Sequence, residues 1–207
     1  MIRIIRMVVS VIAFSWANCA FAVPITAIDT VTVEGTKWVQ VDLFTSLAWS
    51  DINTVCPSGV CGSGSLNGFD MAGWTWATTD EVKNLFNHYI GFPALGPGVD
   101  RYESEFETFL LAFYADGWRP TERSELFTMG RLADRETITA AVFRNPFNLP
   151  GYGRAIASTG FDGFPFPQTI GAFFHRSSSE IPAPAILPLF CLALVVLALI
   201  RGKLSYS

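Results

Sequence analysis

The chain has 207 residues, a formal net charge of -4 and a mean hydropathy of +0.35, a length that suits one domain and a hydropathy too high for one of ordinary composition. The excess is terminal: residues 1–22 hold 17 apolar residues and residues 181–207 hold 19, which leaves the 158 residues between them about 43% apolar, an ordinary globular value. Arg3, Arg6, Arg201 and Lys203 also belong to the ends, so the middle carries 10 Lys+Arg against 18 Asp+Glu, and so acidic a body excludes a nucleic-acid partner, which needs clustered basic surface.

The first element is a short basic start, Met1 to Arg6, followed by an apolar run from Met7 to Phe14 broken only by Ser10. That run is too short for a permanent span. Ala20-Phe21-Ala22 then gives an A-x-A signature, so residues 1–22 read as a secretory signal peptide removed after Ala22. Cys19 is preceded by Trp16-Ala17-Asn18, where a lipoprotein signal wants Leu and small residues.

Residues 23–176 are expected to form one exported domain. Lys37 to Leu43 alternates apolar and polar residues, a half-buried strand. Cys56 and Cys61 flank Pro57-Ser58-Gly59-Val60 in a Gly/Ser-rich loop, while Cys19 leaves with the signal peptide and Cys191 lies in the apolar tail. In an oxidising compartment the pair reads as a small disulfide-closed loop, with free thiols as the alternative; a metal knuckle would need a second Cys/His pair, and none accompanies it. Thr78-Thr79-Asp80-Glu81 is a capping box, and Val82, Leu85, Phe86 and Tyr89 follow as one apolar stripe that Gly91 terminates. Tyr102, Phe106, Phe109, Leu110 and Phe113 repeat the helical spacing up to Asp116-Gly117, with Glu103, Glu105 and Glu107 on other faces. Thr137–Phe143, Arg154–Thr159 and Thr169–Phe174 read as strands separated by Asn-Pro, Pro-Gly and Gly/Pro-rich turns. The expected class is α+β: a single compact domain with a small, mainly antiparallel sheet and two amphipathic helices. No repeat of 20–50 residues is present, which excludes a solenoid.

Little in the domain announces chemistry. No G-x-S-x-G stands in the chain, and Gly62-Ser63-Gly64-Ser65 is a flexible loop. His88 falls on the polar flank of the first helix and His175 at the end of the last strand, so the two read as separate surface or packing histidines. Glu103, Glu105 and Glu107 read as a solvated face rather than a calcium site, and neither metal nor cofactor is expected. No catalytic residue is assigned, although paired carboxylates of a glycoside hydrolase leave no spacing signature, so a secreted hydrolase acting on polysaccharide stays as the alternative function. One constellation suggests a ligand surface: Phe161-Asp162-Gly163-Phe164-Pro165-Phe166-Pro167, with Tyr152 nearby, gathers aromatic rings and a carboxylate in a Gly/Pro loop. Flat rings beside polar groups suit a hydroxyl-rich ligand; packing of the rings beneath the loop is the competing reading.

From Pro182 to Ile200 no residue is charged, and a helix over Ala185–Ile200 would cover roughly 24 Å, marginal for a bilayer core. Arg201 and Lys203 follow at once, which places the tail inside and the domain outside. The order Ile181-Pro182-Ala183-Pro184-Ala185, one apolar helix, and a short basic end resembles a PEP-CTERM sorting signal of the P-x-P-A variety. Ala183 stands where that signal usually has an acidic residue or Leu, and Arg201-Gly202-Lys203 is thinner than its usual Arg-rich cluster. The resemblance covers residues 181–207 and implies a Gram-negative source, an exosortase-type protease as partner, a membrane-anchored precursor, and a product at the cell surface or in exopolysaccharide matrix. The two prolines deny helix to the segment before the membrane and leave it extended for such a protease. Leu47–Ile52 and Ala72–Val82 also resemble an extracellular module recurrent in PEP-CTERM-type proteins, and Trp118-Arg119-Pro120-Thr121 is similar to a phrase of lectin-like domains. These likenesses imply a compact α+β body with a ligand surface and transfer no catalytic residue. The expected layout is therefore a signal peptide at 1–22, the exported domain at 23–176, and a linker with sorting signal at 177–207, its membrane helix at 185–200.

Overall fold

A computed structural model describes residues 22–104, 108–122, 127–144, 153–160 and 169–178. The fold is α+β, as the element order leads one to expect. In chain order it comprises β1 (Thr30–Val33), β2 (Thr36–Val39), α1 (Trp49–Val55), β3 (Ser65–Leu66), β4 (Phe69–Asp70), β5 (Thr75–Trp76), α2 (Thr79–Ile90), β6 (Arg101–Ser104), α3 (Thr108–Ala115), β7 (Phe127–Leu132), β8 (Arg135–Arg144), β9 (Gly153–Gly160), β10 (Ile170–Ala172) and β11 (Phe174–Ser177). The expectation of one small sheet gives way to two, of order β1-β2-β11-β5 and β10-β7-β8-β9-β6, with β3 and β4 as a separate ribbon. Pairing is antiparallel throughout these sheets except between β10 and β7.

The helix from the capping box forms as its residues dictate. Thr78 Oγ1 accepts from the Glu81 amide at 3.4 Å, the Glu81 carboxylate accepts from the Thr78 amide at 2.8 Å, and Gly91 closes the helix at φ 89°. The hairpin after β7 adds a second cap, because Asp134 accepts from both the amide and the hydroxyl of Thr79 at 3.0 Å. Val82, Leu85 and Phe86 of α2 and Phe109, Leu110 and Phe113 of α3 are buried against Leu132, Ala140, Val142, Ala155 and Ala157 on one face of the five-stranded sheet. The small residues of that face let large rings approach: a Cβ on Gly130 would lie 2.6 Å from the Phe173 ring. Phe113 stacks on Trp118 at 4.8 Å, and each fully buried ring of this kind contributes about 2–3 kcal/mol.

Two side chains of α2 strap the following loop to it. Asn87 accepts from the Leu95 amide at 2.8 Å and donates to its carbonyl at 2.7 Å; Lys83, one turn earlier, donates to the Gly96 carbonyl at 2.9 Å and pairs with Asp100. A second core lies on the other face of the four-stranded sheet, where Val39, Trp76 and Phe174 meet Phe44, Ile52, Trp74 and the two cysteines. Indole N–H groups tie this lobe to β7, Trp76 to the Arg131 carbonyl and Trp49 to the Leu132 carbonyl, each at 3.0 Å.

Three sequence expectations need correction. The strand expected over Lys37–Leu43 stops at Val39 and becomes a 3-10 turn over Val41–Phe44, because Gln40 is drawn inward to donate to the Gly117 carbonyl and accept from the Arg119 amide, both at 2.8 Å. The second helix begins at Thr108, not Tyr102: Arg101–Ser104 is an edge strand on β9, and Glu103 pairs there with Arg101 and Arg154 instead of standing on a helical face. The run Thr169–Phe174 is divided at the buried Phe173 between β10 of one sheet and β11 of the other. Helix α1 and strands β1, β3, β4, β5 and β7 lie where no element was expected. Among the described residues no helix is long and apolar enough to cross a membrane, and the span expected at 185–200 lies outside them.

Candidate functional site

A cleft of about 270 Å³ opens between α2 and the face of the β1–β2 hairpin and β11. Register explains its floor. Val33 is opposite Thr36 and Trp38 is opposite His175, so Val33, Thr36, Trp38 and His175 share one face of the twisted sheet. The wall is helical, since Glu81, Asn84, Leu85 and His88 follow the i, i+3, i+4, i+7 spacing and project from one side of α2. Glu34 closes the mouth from the hairpin turn.

Two imidazole–carboxylate pairs face the cleft. His175 Nε2 stands 3.1 Å from Glu81 Oε1, and the His175 ring lies on Trp38 with centroids 4.9 Å apart. The other Glu81 oxygen accepts from the amide and hydroxyl of Thr78, each at 2.8 Å. The His175 contact and then the Thr78 bonds outweigh burial and hold the Glu81 carboxyl down at about 2. Nearer solvent, His88 Nδ1 lies 3.1 Å from Glu34 Oε1, with Glu34 76% exposed.

Glu34 occupies an unusual position. With Gly35 it makes the two-residue turn of the hairpin, at φ 49° and 77°, the left-handed pair that favours Asn-Gly or Asp-Gly. A Glu there pays a local conformational cost while its carboxylate reaches the cleft.

Among the described residues no Lys or Arg lines the cleft, so with neutral imidazoles its lining carries a formal charge of -2 from Glu34 and Glu81. The arrangement can accept hydrogen bonds from hydroxyl or amino groups. Among the described residues no group of three or more His, Cys, Asp or Glu side chains is placed to hold a metal ion.

Of the residues singled out by sequence, Cys56 and Cys61 form a disulfide, which for so short a loop contributes about 2 kcal/mol and fixes the turn over Pro57–Gly59. His88 and His175, read as unrelated, come together in the cleft. The lectin-like phrase has structural work instead: Trp118 is buried, and Arg119 Nε lies 3.2 Å from Asp42 with Asp29 close by. Tyr152, Phe161, Asp162, Phe164 and Phe166 lie outside the described residues, as do Pro182, Ala183, Pro184, Ala185, Arg201, Lys203 and residues 1–21, where a signal peptide is expected. Glu34, Trp38, Glu81 and Asn84 went unassigned by sequence. Two signals could have found them: Glu34-Gly35 sits between β-branched runs as a hairpin turn would, and Glu81, Asn84 and His88 form a polar row beside the apolar stripe of α2.

No family model matches the chain, and neither a curated protein nor a solved structure is detectably similar to it.

Proposed function

We propose that this is an exported surface or matrix protein of a Gram-negative bacterium, sorted through its PEP-CTERM-like tail, that contacts the sugar units of an exopolysaccharide or biofilm matrix. The tail supports the address: Pro182-Ala183-Pro184-Ala185, an apolar stretch and Arg201 with Lys203 stand in the order an exosortase-type protease would read, and the expected signal peptide would supply the route. The precursor is held in the membrane by the helix at 185–200 until that protease acts. The observation that carries the contact is the cleft, whose acceptor-rich wall of Glu81, Asn84 and His88 and aromatic floor at Trp38 suit a small hydroxyl-bearing unit. The sequence offers a second candidate contact in Phe161, Asp162, Phe164 and Phe166, with Tyr152.

The secreted-hydrolase reading draws on one feature, that two carboxylates open into the same cleft with an imidazole beside each. Intact-mass analysis of the protein from cells with and without the sorting protease tests the address, and loss of residues beyond the Pro182–Ala185 segment only where the protease is present is expected. The same tail in both strains overturns sorting. Incubating the protein with the cells' own polysaccharide tests the contact: retention on the polymer without shortening it is expected. Release of reducing ends would establish the hydrolase instead, and failure to bind would remove the carbohydrate role.

A further inference from the structure

We infer that the cleft between α2 and the β1–β2 hairpin selects a sugar bearing a free, protonated amino group over neutral, acetylated or acidic sugars. The inference rests on the carbohydrate reading above and concerns which sugar that site takes.

Charge inside the cavity makes the case. Glu34 and Glu81 both open into it, and among the described residues its lining includes neither Lys nor Arg. A uronate or sulfated unit would place like charge beside two carboxylates, and the other titratable groups of the described lining, His88 and His175, already face those carboxylates, which disfavours such ligands. A neutral unit could use the carboxylates only through hydroxyl donors. An ammonium group donates three hydrogen bonds and carries the compensating charge, and charge-assisted bonds of this kind are roughly twice as strong as neutral ones. Glu81 is well placed to receive one. Its Oε2 is fixed by the two Thr78 bonds and its Oε1 by His175, so little ordering remains to be done when the ligand arrives. Asn84 and Thr36, on opposite walls, supply donors and acceptors for neighbouring hydroxyls.

Size and long-range field agree with this choice. A cavity of about 270 Å³ lies at the small end for ligand sites, fitting one sugar unit rather than a long stretch of chain. The exported middle of the chain carries 18 acidic against 10 basic residues, a field that gathers polycations and repels acidic polymers. Glu34 adds a local observation: a turn that would be better served by Asn holds a carboxylate at the mouth of the cavity.

The test is calorimetric titration of the protein purified from its membrane or culture medium, near neutral pH and low salt, with a glucosamine tetramer, its N-acetylated counterpart and a neutral glucose tetramer. The glucosamine tetramer is expected to bind at least about tenfold more tightly than either, with affinity falling as salt is added. Glu81→Gln, which retains the cap, should weaken that binding about tenfold, and Glu34→Asn, at a more exposed site, about two- to fivefold. Both variants should melt within a few degrees of the parent. If the acetylated or glucose tetramer binds as tightly, the amine inference falls while the carbohydrate role stands. If no tetramer and no native polymer binds, both fall. If glucosamine binds the two folded variants as it binds the parent, the amine sits elsewhere and the assignment to this cleft is overturned.

Discussion

Glu81 joins the stability of the helix to the chemistry of the cleft, and acid should separate the two. Its carboxyl is held at about 2, chiefly by His175 and then by Thr78, against an ordinary value of 4.5. A group depressed on folding contributes stability that is fully present above its unfolded value and lost as pH falls through the folded one, here between about pH 4.5 and pH 2. At about 1.4 kcal/mol per tenfold change in proton affinity the ceiling is near 3 kcal/mol. The side chain is 39% exposed, so solvent screening reduces the expected contribution to about 1–2 kcal/mol. Glu81→Gln keeps the capping geometry and removes the charge. In urea unfolding at a series of pH values, the parent should exceed the variant by about 1–2 kcal/mol at pH 5 and above, with the gap closing by about pH 2. His175→Asn in both backgrounds should remove most of the gap at pH 5. An undiminished gap at pH 2, or one that survives His175→Asn, would refute the assignment of Glu81's depression to the His175 pair.

Two further substitutions probe how the cleft is held. A Cβ on Gly171 would land on the Val41 carbonyl oxygen and within 2.8 Å of Val41 Cγ1, so Gly171→Ala should cost about 3 kcal/mol or more by urea unfolding; a loss below about 1 kcal/mol would mean that β10 can move away from the Val41–Phe44 turn. Lys83 is buried with its ammonium on Asp100 and the Gly96 carbonyl, so Lys83→Met should cost about 1–3 kcal/mol and raise hydrogen exchange at Leu95 and Gly96 first; uniform exchange across α2 would show that the loop is not strapped locally.

Legibility in the sequence followed how local each determinant is. Helix α2 could be read in full because cap, apolar stripe and Gly91 stop are each set by residues only three or four apart along the chain or by a single residue. Strand β8 could be read from its β-branched Thr137-Ile138-Thr139 run and β9 from the Gly/Pro-rich turns that bracket it. Strand β7 could not: Phe127 to Gly130 and Leu132 are buried on both faces, so no alternation marks it. The stripe through Tyr102 gives the right neighbour and the wrong backbone, since the Tyr102 ring does meet Phe109, at 5.6 Å, but reaches it from an edge strand. Nothing local could show that the chain changes sheets at Phe173, because that depends on Gly171 fitting against Val41. The site was illegible for the same reason. His88 and His175 lie far apart in sequence and meet only because β11 inserts between β2 and β5, beneath α2.

The four titratable residues of the cleft are not equally explained by folding. Glu81 in the first turn of α2 completes a capping box and suits the positive end of the helix. His88 in the last turn suits the negative end, and His175 packs its ring on Trp38. Each of these three would be retained for stability alone. Glu34 would not: its left-handed φ costs on the order of 1 kcal/mol for a residue of its kind, whereas an ion pair with His88 this exposed returns about 0.5 kcal/mol at most. Asn at the same position would satisfy the turn without that deficit. The residue that local structure argues against is thus the one whose charge is directed at the cavity, as the proposed binding function would require.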